Sequence, residues 1–231
     1  LDGGTITPSG ASVGTKQGFS IIEYTGTGAN ATVAHGLTTS PQFIIVKDLD
    51  STSGWWTVYH ESIGNTKGTY LNDNQTAGTS TFWNSTSPTS SVFTIGVNAN
   101  TNSSNSFISY LWHDVAGLQK FGGFDGNSSA DGPFIELGFS PAIVIIRKYN
   151  TGSNDWYLFD DQLNKYNLSD QYVCTNLSNA KTPYSNVEID MLSNGFKIRN
   201  AEGSLNAGNL IYAAWAHQPM NGFYGAQSNA R

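Results

Sequence analysis

Ser40-Pro41-Gln42-Phe43-Ile44-Ile45-Val46-Lys47, followed by Trp56-Thr57-Val58-Tyr59, decides how this chain is read, because it is written twice. Ser140-Pro141-Ala142-Ile143-Val144-Ile145-Ile146-Arg147 runs in the same way into Trp156-Tyr157-Leu158-Phe159. Ser140 follows Ser40, Pro141 follows Pro41 and Trp156 follows Trp56 by the same 100 residues. Tyr24-Thr25-Gly26 matches Phe124-Asp125-Gly126 at that offset too. Later in each copy the offset is 103, pairing Phe93 with Phe196, Phe107 with Leu210 and Trp112 with Trp215. The change of register falls between Trp156 and Phe196, in loop-rich sequence where insertions are tolerated. An internal duplication therefore runs over most of the chain.

Each copy reads as β. Residues 43–47 are apolar on both faces, as a strand in the middle of a packed sandwich is. The next run alternates, with Trp56, Val58 and His60 on one face and Trp55, Thr57 and Tyr59 on the other. Further strands are predicted at 19–25, 32–37, 69–71, 81–83, 92–97 and 107–113. The second copy repeats them at 118–124, 131–137, 187–191, 196–199 and 210–216. Clusters of Asp, Asn, Ser and Gly separate the runs, and Asn194-Gly195 reads as a two-residue hairpin turn. Residues 161–180 have some helical tolerance, but their Asn, Ser and Tyr content argues against a long helix. Strands at short intervals with no amphipathic helix of ordinary length predict an all-β fold. The expected arrangement is two tandem, internally duplicated antiparallel β-sandwich units at 18–117 and 118–231, behind a linker or extended arm at 1–17.

Composition narrows the function classes. Charged residues make up 12% of the 231 positions, about half the usual share, while 13% aromatics supply a core. Such weakly charged chains, rich in Ser, Thr and Asn, are typical of extracellular and virion β proteins. A net charge of −6 argues against a nucleic-acid partner, since phosphate binding needs clustered Lys and Arg. No apolar run has the length of a membrane span, so no membrane insertion is expected. The lone Cys174 has no partner for an internal disulfide and reads as a small buried apolar residue. The chain begins at Leu1 rather than Met, which reads as a processed or truncated piece of a longer polypeptide.

No catalytic constellation stands out. His35, His60, His113 and His217 show no metal-ligand spacing, and His35, before a Gly turn, reads as a capping or packing residue. His113-Asp114 are neighbours whose side chains point to opposite faces of a strand. Asp160-Asp161 and Glu188/Asp190 are the carboxylate pairs to weigh for glycoside hydrolysis, yet the wet face of an alternating strand explains the latter pair. No catalytic, cofactor-binding or metal-binding residue is assigned, and no cofactor is expected. The aromatics say more. Trp56/Trp156 and Trp112/Trp215 are duplicated and are expected in the core. Trp55 and Trp83 lack partners in the other copy, which makes them the candidate ligand or interface aromatics, as stacking platforms for sugar rings or as the rim of a subunit contact.

The assembled motifs resemble the C-terminal β domains of bacteriophage tail-fibre and other virion appendage proteins, found in marine and cyanobacterial phages. The resemblance is carried by His35-Gly36-Leu37 with Pro41, by 44–47 and 56–59, by Lys120-Phe121-Gly122 and by Asp131-Gly132-Pro133-Phe134. It continues through Leu192-Ser193-Asn194-Gly195-Phe196-Lys197-Ile198-Arg199, Ile211-Tyr212-Ala213-Ala214-Trp215-Ala216, Pro219 and the terminal Ser228-Asn229-Ala230-Arg231. His217-Gln218 and Trp215 depart from the family pattern. The resemblance implies a non-enzymatic virion structural protein, on a phage tail or capsid surface. It would be the distal domain of a tail fibre or spike, a homo-oligomer and by family expectation a trimer. Its partners would be other virion proteins and a glycan or protein of the host cell surface. The competing expectations are a capsid decoration or head-fibre protein, a glycan-binding module of a secreted enzyme, and a depolymerase.

Overall fold

The computed structural model describes residues 1–180, 182–183 and 187–218. Pro219 and the 228–231 terminus, which contribute to the family resemblance, lie outside the described residues. The chain divides into two compact units, Leu1–Asn72 with Ala77–Asp114 and Asp73–Thr76 with Val115–Arg231.

The first unit carries β1 (Gly10–Gly14), β2 (Phe19–Thr25), β3 (Ala31–Ala34), β4 (Phe43–Asp48), β5 (Trp56–His60), β6 (Lys67–Tyr70), β7 (Gly78–Thr79), β8 (Val92–Ile95), the one-turn helix α1 (Ala99–Asn102) and β9 (Ser106–Trp112). The second carries β10 (Gln119–Asn127), β11 (Phe134–Glu136), β12 (Pro141–Lys148), β13 (Tyr157–Asp160), β14 (Gln171–Cys174), β15 (Thr182–Pro183), β16 (Ile189–Leu192), β17 (Gly195–Ile198), the one-turn helix α2 (Gly203–Asn206) and β18 (Ala207–Ala216). Unit 1 sets a seven-stranded sheet, β1-β2-β9-β4-β5-β6-β7, over the pair β3-β8. Unit 2 sets β10-β18-β12-β13-β14-β15 over β11-β17-β16. The ladders are antiparallel. This is the expected all-β, sandwich-type fold.

The duplication is written into the register. Tyr24 opposite Phe107 recurs as Phe124 opposite Leu210, and Val46 opposite Thr57 recurs as Ile146 opposite Tyr157. Thr57 opposite Tyr70 recurs as Tyr157 opposite Cys174, so the insertion in the second copy falls between β13 and β14. Alternation then builds the two cores. Ile22, Tyr24, Ile44, Val46, Phe107 and Leu111 face Val33, Phe93 and Ile95 in unit 1. Val144, Ile146, Phe159 and Leu210 face Ile135, Phe196 and Ile198 in unit 2. Burying such side chains contributes about 1.5–3 kcal/mol each.

The structure differs from the sequence reading at identifiable points. Residues 1–17 are built into unit 1: β1 pairs along β2, buried Ile6 bridges Val33, and Thr5 exchanges hydrogen bonds with Thr32. Residues 81–83, expected as a strand, form a turn that leads into Asn84 and Ser85, both with positive φ. Consecutive Phe82 and Trp83 both enter one core cluster, which the turn permits and the alternating faces of a strand would not. Residues 161–180 contribute turns and β14. The β16–β17 hairpin closes through Ser193-Asn194, and Gly195 is already paired with Leu192. Gly195 serves close approach instead, since a Cβ there would lie 2.1 Å from the Ile135 carbonyl oxygen on β11.

Of the duplicated tryptophans only Trp156 is fully buried; Trp56, Trp112 and Trp215 are half-buried. In β9 the core takes Phe107 and Leu111, so Trp112, one residue on, points to the opposite face of the sheet. There it stacks on Phe19 and packs at a tilt against Phe43, with ring centroids 4.8 and 5.4 Å away.

Candidate functional site

Several of the acid–base candidates are tied into structure. His113 Nδ1 lies 2.7 Å from the backbone carbonyl oxygen of Asp114, not from its carboxylate. Asp161 is held 2.5 Å from His217 Nδ1, and Asp190 pairs with Arg199 at 3.3 Å. Among the described residues no group of three or more His, Cys, Asp or Glu is placed to hold a metal ion.

Trp83 is not a surface platform. It is 1% exposed, edge-on to Tyr59 and Phe82 in the core of unit 1. Trp55 is half-buried and lies flat on Tyr70, with centroids 4.8 Å apart and planes at 27°. Phe82 packs edge-on against Tyr70, with centroids 5.8 Å apart. Asn100 of α1 donates its side-chain amide to the Tyr70 hydroxyl at 3.3 Å. Trp55 is thus one layer of an aromatic plug between the β5–β6 edge and α1.

The equivalent place in unit 2 is open. A cleft of about 370 Å³ is lined by Asp155, Tyr157, Tyr172, Cys174, Glu202 and Ser204, with Val187 at its base. The β13–β14 ladder sets Tyr157 opposite Cys174. Tyr172 stands edge-on to Tyr157 at 5.1 Å, which fixes its ring at the wall. Asn176 accepts the backbone N–H of Trp156 through Oδ1 and donates through Nδ2 to Asp155 Oδ1 at 2.7 Å, so the carboxylate is oriented. Tyr157 donates its hydroxyl to Ser204 on α2 at 3.0 Å. Burial, reinforced by Asp155, pushes the Cys174 thiol up to about 11. It is protonated at neutral pH and is no thiolate nucleophile. Burial likewise raises the Tyr157 phenol. The site offers oriented hydrogen-bonding groups and aromatic edges. A second, smaller hollow of about 260 Å³ lies near Ser140, Pro141, Asp161 and Tyr166.

The sequence reading missed what holds α1 and α2 in place. Asn102 and Asn206 are both fully buried. Asn102 donates to the carbonyls of Ala29 and Gly96 at 2.6 and 2.9 Å and accepts the N–H of Thr27 at 2.7 Å. Asn206 donates to the carbonyls of Ser129 and Asn200 at 2.7 and 2.6 Å and accepts the N–H of Asn127 at 2.9 Å. The same latch is therefore made twice, and in unit 2 it fixes the helix that carries Ser204, with Glu202 at its N-cap. The loop region 160–185, where the copies diverge most, supplies Tyr172, Cys174, Leu177, Asn179 and Ala180 to the cleft.

A family model described as a domain of unknown function, DUF7483, matches residues 2–219. No curated protein and no solved structure matches the chain.

Proposed function

We propose that this chain, which belongs to the DUF7483 family, is a non-enzymatic bacteriophage virion protein, the distal domain of a tail fibre or spike that contacts the host cell surface. The observation that carries this reading is a doubled antiparallel scaffold whose two copies keep one register and one buried Asn latch, while their loops and edges diverge. A scaffold kept constant beneath variable polar loops suits a surface-recognition role. The tail-fibre motifs in the sequence support the phage assignment. The oriented hydrogen-bonding groups of the candidate cleft support binding. Trimeric assembly belongs to the same proposal, as a way of covering the sheet edges that each chain presents.

Labelling the intact particle with an antibody to this chain tests the reading. Signal at the tail tip is expected, and the purified chain should compete with phage for adsorption and sediment as a trimer. Signal on the head would favour the capsid-decoration alternative, and absence from the particle overturns the virion reading. The open cleft specifically favours a second reading, a glycan-binding module of a secreted enzyme, which the same labelling separates from the first.

A further inference from the structure

We propose that the cleft of unit 2 binds one neutral sugar residue of a surface glycan, at a place that the first copy of the duplication has filled with its own aromatic side chains. This inference rests on the surface-binding reading above and names the ligand class of that site.

The two copies can be laid over one another residue by residue through their ladders. Trp56 and Trp156 both give their N–H to an asparagine carboxamide, of Asn72 and Asn176 respectively, at 3.0 Å in each case. The residue before each is therefore equivalent, and Trp55 corresponds to Asp155. Tyr70 corresponds to Cys174, because each lies opposite the residue after the tryptophan. Asn98 and Glu202 are both N-caps of the one-turn helices, so Asn100 corresponds to Ser204. In unit 1 these positions hold Trp55 stacked on Tyr70, with Asn100 bonded to the Tyr70 hydroxyl. In unit 2 an indole has become a carboxylate, a phenol a thiol and an amide a hydroxyl, and the space they leave is the 370 Å³ cleft. Gly68, whose Cβ would lie 2.2 Å from the Phe82 ring, corresponds to Tyr172, which forms one wall.

At the place of Trp55 a large apolar ring has given way to the Asp155 carboxylate, and Tyr70 to the much smaller Cys174, so the hydrogen-bonding groups of unit 2 face an opening. A carboxylate has only acceptors, so Asp155 and Glu202 ask for a ligand rich in O–H or N–H donors. They also repel phosphate, sulfate and carboxylate groups. Buried Arg147, close enough to interact electrostatically with Asp155, offsets part of that negative charge, and the choline probe below tests whether a cation is preferred. The rest of the lining is uncharged, polar at Ser204, Asn179 and the Tyr157 hydroxyl and apolar at Leu177, Ala180 and Val187. The volume is at the lower end of the range for small-molecule sites, roughly 300–1,000 Å³, which suits a single ring. A sugar ring matches this set, with hydroxyls for the carboxylates and C–H edges for Tyr172.

Saturation-transfer NMR on the purified full chain tests this with D-glucose, D-galactose and N-acetyl-D-glucosamine as neutral probes. N-acetylneuraminic acid serves as the anionic probe and choline as the cationic one. At least one neutral sugar is expected to give signal, weakened tenfold or more in affinity (about 1.4 kcal/mol) by the double variant Asp155→Trp/Cys174→Tyr, which rebuilds the plug of unit 1. Glu202→Gln, which keeps the shape, is expected to weaken it too, and guards against misfolding of the double variant. Absence of neutral-sugar signal, stronger signal from either charged probe, or sugar binding that survives both variants overturns the inference. The titration does not depend on where the chain sits. Sugar binding by a chain absent from virions sinks the phage reading alone, and a tail-tip protein that binds none of the neutral sugars sinks the inference alone.

Discussion

His35 shows how much one buried ring can set. It is fully buried, and its Nδ1 accepts the N–H of Leu37 at 3.1 Å. The other nitrogen, Nε2, therefore carries the proton and donates it to the Thr89 carbonyl at 3.1 Å. Burial lowers its pKa; the Thr89 bond opposes that shift, and repulsion from His113 adds to it. A base whose folded pKa lies below its unfolded value of about 6.5 binds fewer protons when folded, so stability is lost as pH falls below that value. Melting temperature is expected to drop between pH 7 and pH 5, and His35→Gln should flatten that slope. An unchanged slope in the variant rejects the assignment. The reading of His35 as a capping residue came from the Gly36 beside it; its tautomer needed Leu37 and Thr89 in space. Trp83 went the other way. Lacking a partner in the second copy, it read as a surface aromatic, yet it completes the core of unit 1. Trp83→Ala is expected to cost about 3–5 kcal/mol in denaturant unfolding, and Trp55→Ala, at a half-buried position, clearly less.

At the scale of elements, strands were legible and short helices were not. Residues 19–25 coincide with β2, because a strand's pattern is local and has period 2. Helices α1 and α2 are one turn each, far below the length at which a helix holds itself. They exist because Asn102 and Asn206 reach across to loop carbonyls. These two residues are 104 apart, so an alignment at 103 sets Asn102 beside Leu205 and hides the match. Removing either carboxamide takes the partner from two carbonyls, one of them buried, and from at least one backbone N–H. Asn102→Ala and Asn206→Ala are each expected to destabilise by about 3 kcal/mol in urea unfolding. Asn102→Asp should be no better, since a carboxylate cannot donate to Ala29 and Gly96. A loss below about 1 kcal/mol, the net worth of one ordinary hydrogen bond, would show that the latch does not hold the helix.

At the scale of the whole molecule, the units are not the two halves of the sequence. Asp73–Thr76 belongs with unit 2, where Asn74 accepts the N–H of Asn154 at 3.0 Å and Thr76 donates to Gly152 at 2.6 Å. Gln75 offers its carbonyl to Arg147. That guanidinium is fully buried and lies 4.8 Å over the Trp156 ring. Burial lowers its pKa to about 10, so it is charged at neutral pH and needs an acceptor such as the Gln75 carbonyl. A fragment spanning 115–231 lacks the segment. Its β12 and β13 amides are expected to exchange with solvent faster than the same amides in the full chain, as read by hydrogen exchange. Equal protection would mean that the segment adds nothing to unit 2.

By itself the sequence determined the duplication, the all-β class and most of the strand set, because repeated spacing and period-2 alternation are properties of the chain read along its length. Tertiary structure alone decided which tryptophans complete a core, which residues of 1–17 and 73–76 join which unit, and that one copy of a shared place is plugged while the other is open. Trp55 and Asp155 stand at matching positions in the text. What separates them is whether a ring lies across the way to fill the space, and that partner, Tyr70 in one copy and Cys174 in the other, is brought there only by the β5–β6 and β13–β14 ladders.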